Sequence, residues 1–549
     1  MKKYRKLLWA IPMVGLMTFF SFRTDDRLFE IARNLDIYAT LFKKLNAYYV
    51  DDINPNQLIK TSIDGMLQSL DPYTVYYGED DIEDFMTMTT GKYNGIGALI
   101  SNLDGKNTVL MIYKDTPAQK AGLQIGDEIL KIDDFSLTNR PDFDLTKLLR
   151  GQSGTQVNLT VKRFGQDQPF IVPVSRDVVK INNVSYYTLL NDEVGYIDLK
   201  DFTGAAYNDV RNAFQKLKSQ GMKKVVLDLR DNPGGLLDMA IDISNIFIPK
   251  GQEIVSTRGK VNEWNKVYKA NNPALDTEIP IVVLINNRSA SAAEIVSGVI
   301  QDYDRGVLMG QRTFGKGLVQ TTLDVSYNTK MKVTTAKYYI PSGRCIQAID
   351  YTHRNEDGSV GKIADSLITE YKTKNGRPVF DGGGVLPDLE TEKETLTPLA
   401  TTLLRKRLIF DYAIQYKSAH SNIKSAGEFE LTDPEYKTFT QWLEDKEYDY
   451  TTQTEKDLAA LEASASKEKT IGAIANNIKD LKAKLHHTKD QDLEHNKQEI
   501  KRILEEEIIK HYYLETGLRE ASIKTDPDIK SALALFSDMN KYQQLLRNK

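Results

Sequence analysis

The sequence predicts a multidomain α+β protein: an α/β layer joined to a small β-rich domain, with helical segments at both ends. Three observations predict it. A chain of 549 residues is too long for one ordinary core. Its hydrophobic period changes from helical to alternating near Tyr93, and strands alternate with helices from about residue 179. From about Thr397 the sequence turns into Lys/Glu-rich helix. The expected division is 1–24, a leader or membrane anchor; 25–89, helical; 90–178, β-rich; 179–396, α/β; and 397–549, helical.

In the first segment, Lys2, Lys3, Arg5 and Lys6 precede the apolar run Leu7–Phe22, the layout of a secretory leader. Pro12 and the run's sixteen residues argue against a comfortable spanning helix, and no A-x-A site follows. The leader is therefore either cleaved or kept as an anchor, and both place the body of the chain outside the cytoplasm. Next, Ile31, Ile37, Leu41, Leu45 and Tyr49 give a drifting helical spacing, a second helix spans about Leu58 to Leu70, and Asp71-Pro72 makes a turn.

The β-rich segment reads as strands at Gly95–Ile100, Asn107–Tyr113 and around Ile129–Ile132, followed by alternation at Val157, Leu159 and Val161. Its run P-A-x-x-A-G-L-x-x-G-D, Pro117 to Asp127, resembles a PDZ domain. That resemblance implies that backbone N–H groups of Gly95, Ile96 and Gly97 receive a peptide's terminal carboxylate while the peptide adds a strand to the sheet edge.

Composition narrows the function. A net charge of −4, from 72 Lys+Arg against 76 Asp+Glu, leaves no basic footprint for nucleic acid. The one cysteine, Cys345, makes neither an intrachain disulfide nor a thiolate cluster, and the sequence supplies no metal or cofactor motif. "GQRTFGKG", Gly310 to Gly317, starts like a phosphate-binding loop, but Gly317 stands where Ser or Thr would bind Mg²⁺, and Val/Thr-rich strands follow where a helix would be needed.

Lys316 then needs another role, and Ser291 suggests one. Ser291 opens a helix whose buried face carries Ala292, Ile295, Val296, Val299 and Ile300, directly after the core strand "IPIVVLINN". Two readings compete. Ser291 and Glu294 form an S-x-x-E capping box; equally, a serine at a strand–turn–helix corner, beside unbonded N–H groups, has the geometry of an acyl-transfer nucleophile. Five of the six histidines fall in the later helices and His353 in a polar loop, so a Ser-His-Asp triad is poorly supplied. G-x-S-x-G and H-E-x-x-H are absent.

The stretch "VVLINNRSASAAEIVSGVIQDYDRGVLMGQRTFGKGLVQ", with "LDLRDNPGG", "TAKYYIPSGRCIQ" and "GGGVLPDLE", is similar to the carboxyl-terminal processing peptidases, or tail-specific proteases. The likeness covers about Asp26 to Glu390, and Ala293 departs from a frequent Ser. It implies an α/β core of the ClpP/crotonase-like kind with the PDZ domain inserted. It also implies Ser291 as nucleophile, Lys316 as general base and Gln320 as the base's partner. The neutral amine this requires means bringing lysine from about 10.4 toward 7 to 8, roughly 3 to 4 kcal/mol, which burial supplies. The oxyanion donors expected are the N–H of Ala292 and that of Gly234 or Gly235.

The implied function is an exported serine endopeptidase, periplasmic or inner-membrane-anchored in a bacterium, acting without metal or cofactor on proteins with exposed C-terminal tails and gated by its PDZ domain. The alternatives are an inactive PDZ scaffold and a Ser-Lys amidase for small substrates. Ile471, Ile474, Ile478, Leu481 and Leu485 repeat at 3-4-3-4 spacing, so the last region is expected to be a helical accessory domain that packs on itself or mediates a homo-oligomer or adaptor contact.

Overall fold

The computed structural model describes residues 10–137, 145–485 and 489–547, and of residues 10–26 the backbone alone. The first nine residues of the expected leader, and the side chains of the rest of it, lie outside this description. The chain forms two bodies, one made of residues 10–76, 322–325 and 330–333, the other of the remainder.

The first body contains two helices, α1 (Ala10–Tyr48) and α2 (Pro55–Gln68). Asn54 caps α2 by accepting the Gln57 N–H at 3.2 Å, and Pro55 opens the helix where no N–H is needed. The turn expected at Asp71-Pro72 is held by the Asp71 carboxylate, which accepts the N–H groups of Tyr73 and Thr74, each at 2.8 Å. Among the described residues no helix is long and apolar enough to cross a membrane.

The second body starts at Tyr77 with the helix Ile82–Thr90 and then holds the small β domain: strands β1 (Ala98–Leu103), β2 (Lys106–Ile112), β3 (Glu128–Ile132), β4 (Gln156–Lys162) and β5 (Phe170–Ser175) in an antiparallel sheet of that order. Val157, Leu159 and Val161 alternate inward, as the period of two requires. A short helix, α3 (Pro117–Lys120), sits between β2 and β3. The buried Asp127 carboxylate pins the turn after it, taking the Gln124 N–H at 2.8 Å and a two-pronged contact from Arg163, both prongs 2.7 Å.

The α/β layer is a six-stranded sheet built from β6 (Val184–Leu189), β7 (Val194–Leu199), β8 (Lys224–Asp228), β10 (Ile281–Ile285), β11 (Val307–Gly310) and β14 (Leu389–Glu390), in that spatial order. Strand β9 (Glu253–Gly259) pairs instead with β13 (Lys330–Tyr339), which β12 (Leu318–Asp324) precedes and joins. β6 runs antiparallel to β7 and the other neighbours are parallel. Every residue of β7 and β10 is buried, because helices cover both faces. One face carries α4 (Ala206–Ser219), α5 (Leu237–Ser244) and α6 (Ala292–Asp302).

The C-terminal region holds its own core around Leu403, Phe439, Leu504 and Ile508, with α7 (Leu408–Ala419) and the long α8 (Lys497–Thr525). Phe410 of α7 and Leu514 of α8 pack on the core of the β domain. Leu514 has φ 58° and ψ −155° and kinks its helix there. The last described helices, α9 (Pro527–Ser537) and α10 (Met539–Leu545), lie on the second face of the six-stranded sheet, Leu535 and Phe536 sharing one core with Val226 and Leu284. Of the repeat at 471–485, which is helical, only Ile478 is buried.

Candidate active site

The apolar strand β10 ends in the turn Asn286–Ala290, and α6 starts straight after it. The two serines of S-A-S-A are sharply distinguished there. Ser289 is fully buried, its hydroxyl donating to the Leu229 carbonyl at 2.7 Å and accepting the Asn286 N–H at 3.0 Å. Ser291 is half-buried at the start of α6 with φ 55° and ψ −114°, a conformation that costs a non-glycine residue about 1–3 kcal/mol. The Ser291 carbonyl accepts the N–H groups of Glu294 and Ile295 at 2.9 and 3.0 Å, while the N–H of Ala292 has no partner among the described residues.

Glu294 meets the S-x-x-E expectation, and its carboxylate does more. Oε2 accepts the N–H of Ser291 and that of Lys316, each at 2.8 Å; Oε1 accepts the Gly315 N–H at 2.7 Å and the Thr313 hydroxyl at 2.6 Å. Glu294 is fully buried. Burial pushes its carboxyl up to about 7, against the pull of these four donors toward the ionised form.

Lys316, half-buried, lies in a loop with no room for side chains on either side. A Cβ on Gly315, whose φ is 88°, would come within 2.4 Å of the Ala348 Cβ, and one on Gly317 within 2.7 Å of the Gln347 nitrogen. The segment Gln347–Ala348 crosses there, Gln347 Oε1 accepting the Gly317 N–H at 2.7 Å and Ala348 donating to the Gly315 carbonyl at 2.9 Å. The buried Tyr338 hydroxyl lies 2.7 Å from the Lys316 carbonyl and 3.2 Å from that of Ser291. Glu294 thus links Ser291 and Lys316 through their backbone N–H groups and Tyr338 through their carbonyls. Gln320 is half-buried on β12, its Nε2 donating to Thr334 Oγ1 on β13 at 3.3 Å.

The D-N-P-G-G loop after β8 closes on the same corner. A Cβ on Gly234, at φ 96°, would lie 2.6 Å from the Ala290 carbonyl oxygen and 2.8 Å from both the Ala292 nitrogen and the Ser291 Cβ. The Gly234 N–H is already taken by Asn232 Oδ1 at 2.8 Å. The Gly235 N–H has no partner among the described residues, so of the two glycines it is the one with a donor to offer.

In the β domain, Ile96 is buried in the core and Gly97, at φ 76°, passes so close to Thr116 that a Cβ would meet it at 2.3 Å. The Gly97 carbonyl accepts the Tyr113 N–H and the Thr116 hydroxyl, each at 3.1 Å, and Gly95 pairs with Asp177. These contacts fix the loop ahead of β1, the edge strand of its sheet among the described residues. Tyr338 and Gln347 stand in the quoted stretch TAKYYIPSGRCIQ and Thr313 in GQRTFGKG, but sequence reasoning gave none of them a role and saw Glu294 only as a cap.

Comparison with known families defines a serine-type peptidase with a PDZ domain. Residues 193–357 match peptidase family S41, 94–174 the PDZ domain, and 399–536 the C-terminal helical domain of probable PDZ-proteases. The chain is 38% identical over 324 residues to the carboxy-terminal-processing protease of Bartonella bacilliformis, covering 58% of this chain and 74% of that one. It is 34% identical over 321 residues to a probable CtpA-like serine protease of Staphylococcus epidermidis, covering 58% and 64%. A solved photosystem II D1 C-terminal processing protease is 25% identical over 66% of this chain and 93% of its own, with a TM-score of 0.35. The chain belongs to the carboxy-terminal processing peptidase family.

Proposed function

We propose that the chain is an exported endopeptidase that cuts proteins near their C-termini through a Ser291–Lys316 dyad. The observation that carries this reading is the corner itself: Ser291, in a strained conformation at the start of α6, is tied to Lys316 through Glu294 and lies against Gly234. In the proposed reaction neutral Lys316 Nζ takes the Ser291 proton as Oγ bonds to the scissile carbonyl carbon. The N–H groups of Ala292 and Gly235 receive the oxyanion. Collapse of the tetrahedral intermediate breaks the C–N bond, the ammonium of Lys316 returns its proton to the departing amine, and water, deprotonated by the same lysine, releases the acyl group. Gln320 is assigned to orient the amine.

The β-domain loop Gly95–Gly97 is assigned to bind the substrate's terminal carboxylate, with the bound tail extending the sheet from β1 and gating the site. The basic, apolar leader supports action outside the cytoplasm. Incubation with an unfolded protein substrate tests the reading: Ser291→Ala and Lys316→Ala should each abolish cleavage, and undiminished cleavage by Ser291→Ala would overturn it.

A further inference from the structure

Arg230, one residue before the D-N-P-G-G loop, is held by three carboxylates, two of them from the far end of the chain. Its Nε and Nη2 reach Asp228 at 3.0 and 2.6 Å. Nη1 and Nη2 reach Asp526 at 3.2 and 2.8 Å, and Nη1 reaches Asp528 at 3.0 Å. The Arg230 side chain is 17% exposed, and those of Asp228, Asp526 and Asp528 are 2%, 19% and 9% exposed, so water competes little for these bonds. Asp526 is also the N-cap of α9, taking the N–H groups of Asp528 and Ile529 at 2.9 and 3.0 Å.

On the other side of Arg230, the loop runs straight into the oxyanion corner. The Arg230 N–H donates to Asp228 at 3.0 Å, which sets the direction of the turn. Two residues on, the Asn232 side chain donates to the Leu199 carbonyl at 2.7 Å and accepts the Gly234 N–H, while the Asn232 backbone carbonyl accepts the Ala290 N–H at 2.9 Å. Arg230 thus stands on the same short segment as Gly235, whose N–H and that of Ala292 are the two donors assigned to the oxyanion.

We propose that Arg230 is a positioning residue for the oxyanion loop and that α9, through Asp526 and Asp528, is its anchor. The C-terminal end of the chain is then part of the catalytic apparatus. This rests on the assignment of Ser291 as nucleophile and Gly235 as an oxyanion donor. Burial of apolar surface by α9 and α10 would have needed no such contact, since Ile529, Ala532, Leu535 and Phe536 already cover the sheet.

The test uses the full chain with Asp526→Asn, which keeps an N-cap side chain but weakens the grip on Arg230, and Arg230→Lys, which keeps the charge but loses the fork. Each should lower kcat by about tenfold or more while KM stays within about twofold, a fraction of what loss of a whole oxyanion donor costs. Affinity for a peptide boronic acid, whose tetrahedral adduct presents an oxyanion, should fall by the same factor as kcat. Wild-type kcat in Asp526→Asn, a change in KM alone, or a fall in kcat with unchanged boronate affinity would each overturn the proposal. If Arg230→Lys fails to fold, Asp526→Asn still decides. Ser291→Ala run in parallel separates the two levels: its activity would sink the nucleophile assignment, whereas an inert Ser291→Ala beside an unaffected Asp526→Asn would sink only the anchor.

Discussion

Oε2 of the buried Glu294 accepts the backbone N–H of Lys316 at 2.8 Å, so a residue in the first turn of α6 sets the position of a loop twenty-two residues away. The same oxygen accepts the Ser291 N–H. The corner is therefore held by an acceptor whose value depends on its charge.

Glu294→Gln should test that dependence. An amide can serve the donors on one oxygen but presents N–H to those on the other, leaving two of four donors unpaired at about 1–3 kcal/mol each. A clear drop in melting temperature and a fall in kcat of at least about tenfold are expected, measured by calorimetry and peptide hydrolysis.

The wild-type pH dependence follows with two signs. The folded-state value of Glu294, about 7, lies above the ordinary 4.5. The folded state therefore binds the extra proton, and the stability tied to it is complete below about 4.5 and lost as pH rises through 7, roughly 3 kcal/mol in all. Activity should move the other way, because the ionised carboxylate is the form that accepts all four bonds. Denaturant titrations and kcat across pH 5 to 9 check this: Glu294→Gln should lose the dependence of stability, and its kcat should keep only the rise with pH that comes from Lys316.

Lys316→Arg should be inactive although charge is kept, because a guanidinium does not give up a proton in this range. Turnover comparable to wild type would remove Lys316 as the base.

Gly234→Ala should abolish cleavage. The new Cβ would sit 2.6 Å from the Ala290 carbonyl oxygen and 2.8 Å from the Ala292 nitrogen, at a φ of 96°. The corner must open to admit it, at a stability cost of about 1–3 kcal/mol. Normal kcat in this variant would show that Gly234 does not border the reacting atoms.

Arg344→Met probes the far end of α6. Arg344, 1% exposed, donates to Asp302 at 2.9 Å and to Gln301 at 2.8 Å. Its loss leaves a buried carboxylate uncompensated, a cost of about 3–5 kcal/mol. Burial already raises Asp302 against the pull of Arg344; without the arginine it rises further, so the variant's stability should be recovered as pH falls and lost as it rises. A thermal unfolding series in pH reads this directly.

A peptide with a free C-terminal carboxylate, added in trans, should raise kcat on a short substrate whose own end is amidated, and its amidated twin should not. Gating predicts activation; a domain that only tethers substrate predicts no change in kcat.

The sequence by itself determined the order of domains and named the candidate residues. Strict alternation at Val157, Leu159 and Val161, the wholly apolar β10, and glycines flanking Lys316 are local demands, each readable within a few residues. S-x-x-E likewise announced the start of α6. Tertiary structure alone decided what Glu294 and Tyr338 reach, because their partners near Lys316 are fixed by how strands cross and not by spacing along the chain. It also decided which glycine keeps a donor, since the Gly234 N–H is taken by the Asn232 side chain. The placement of α9 and α10 was hidden for the same reason: an amphipathic helix announces that it has an apolar face, but not which surface will bury it. Only the packed chain brings Asp526 across 296 residues to Arg230.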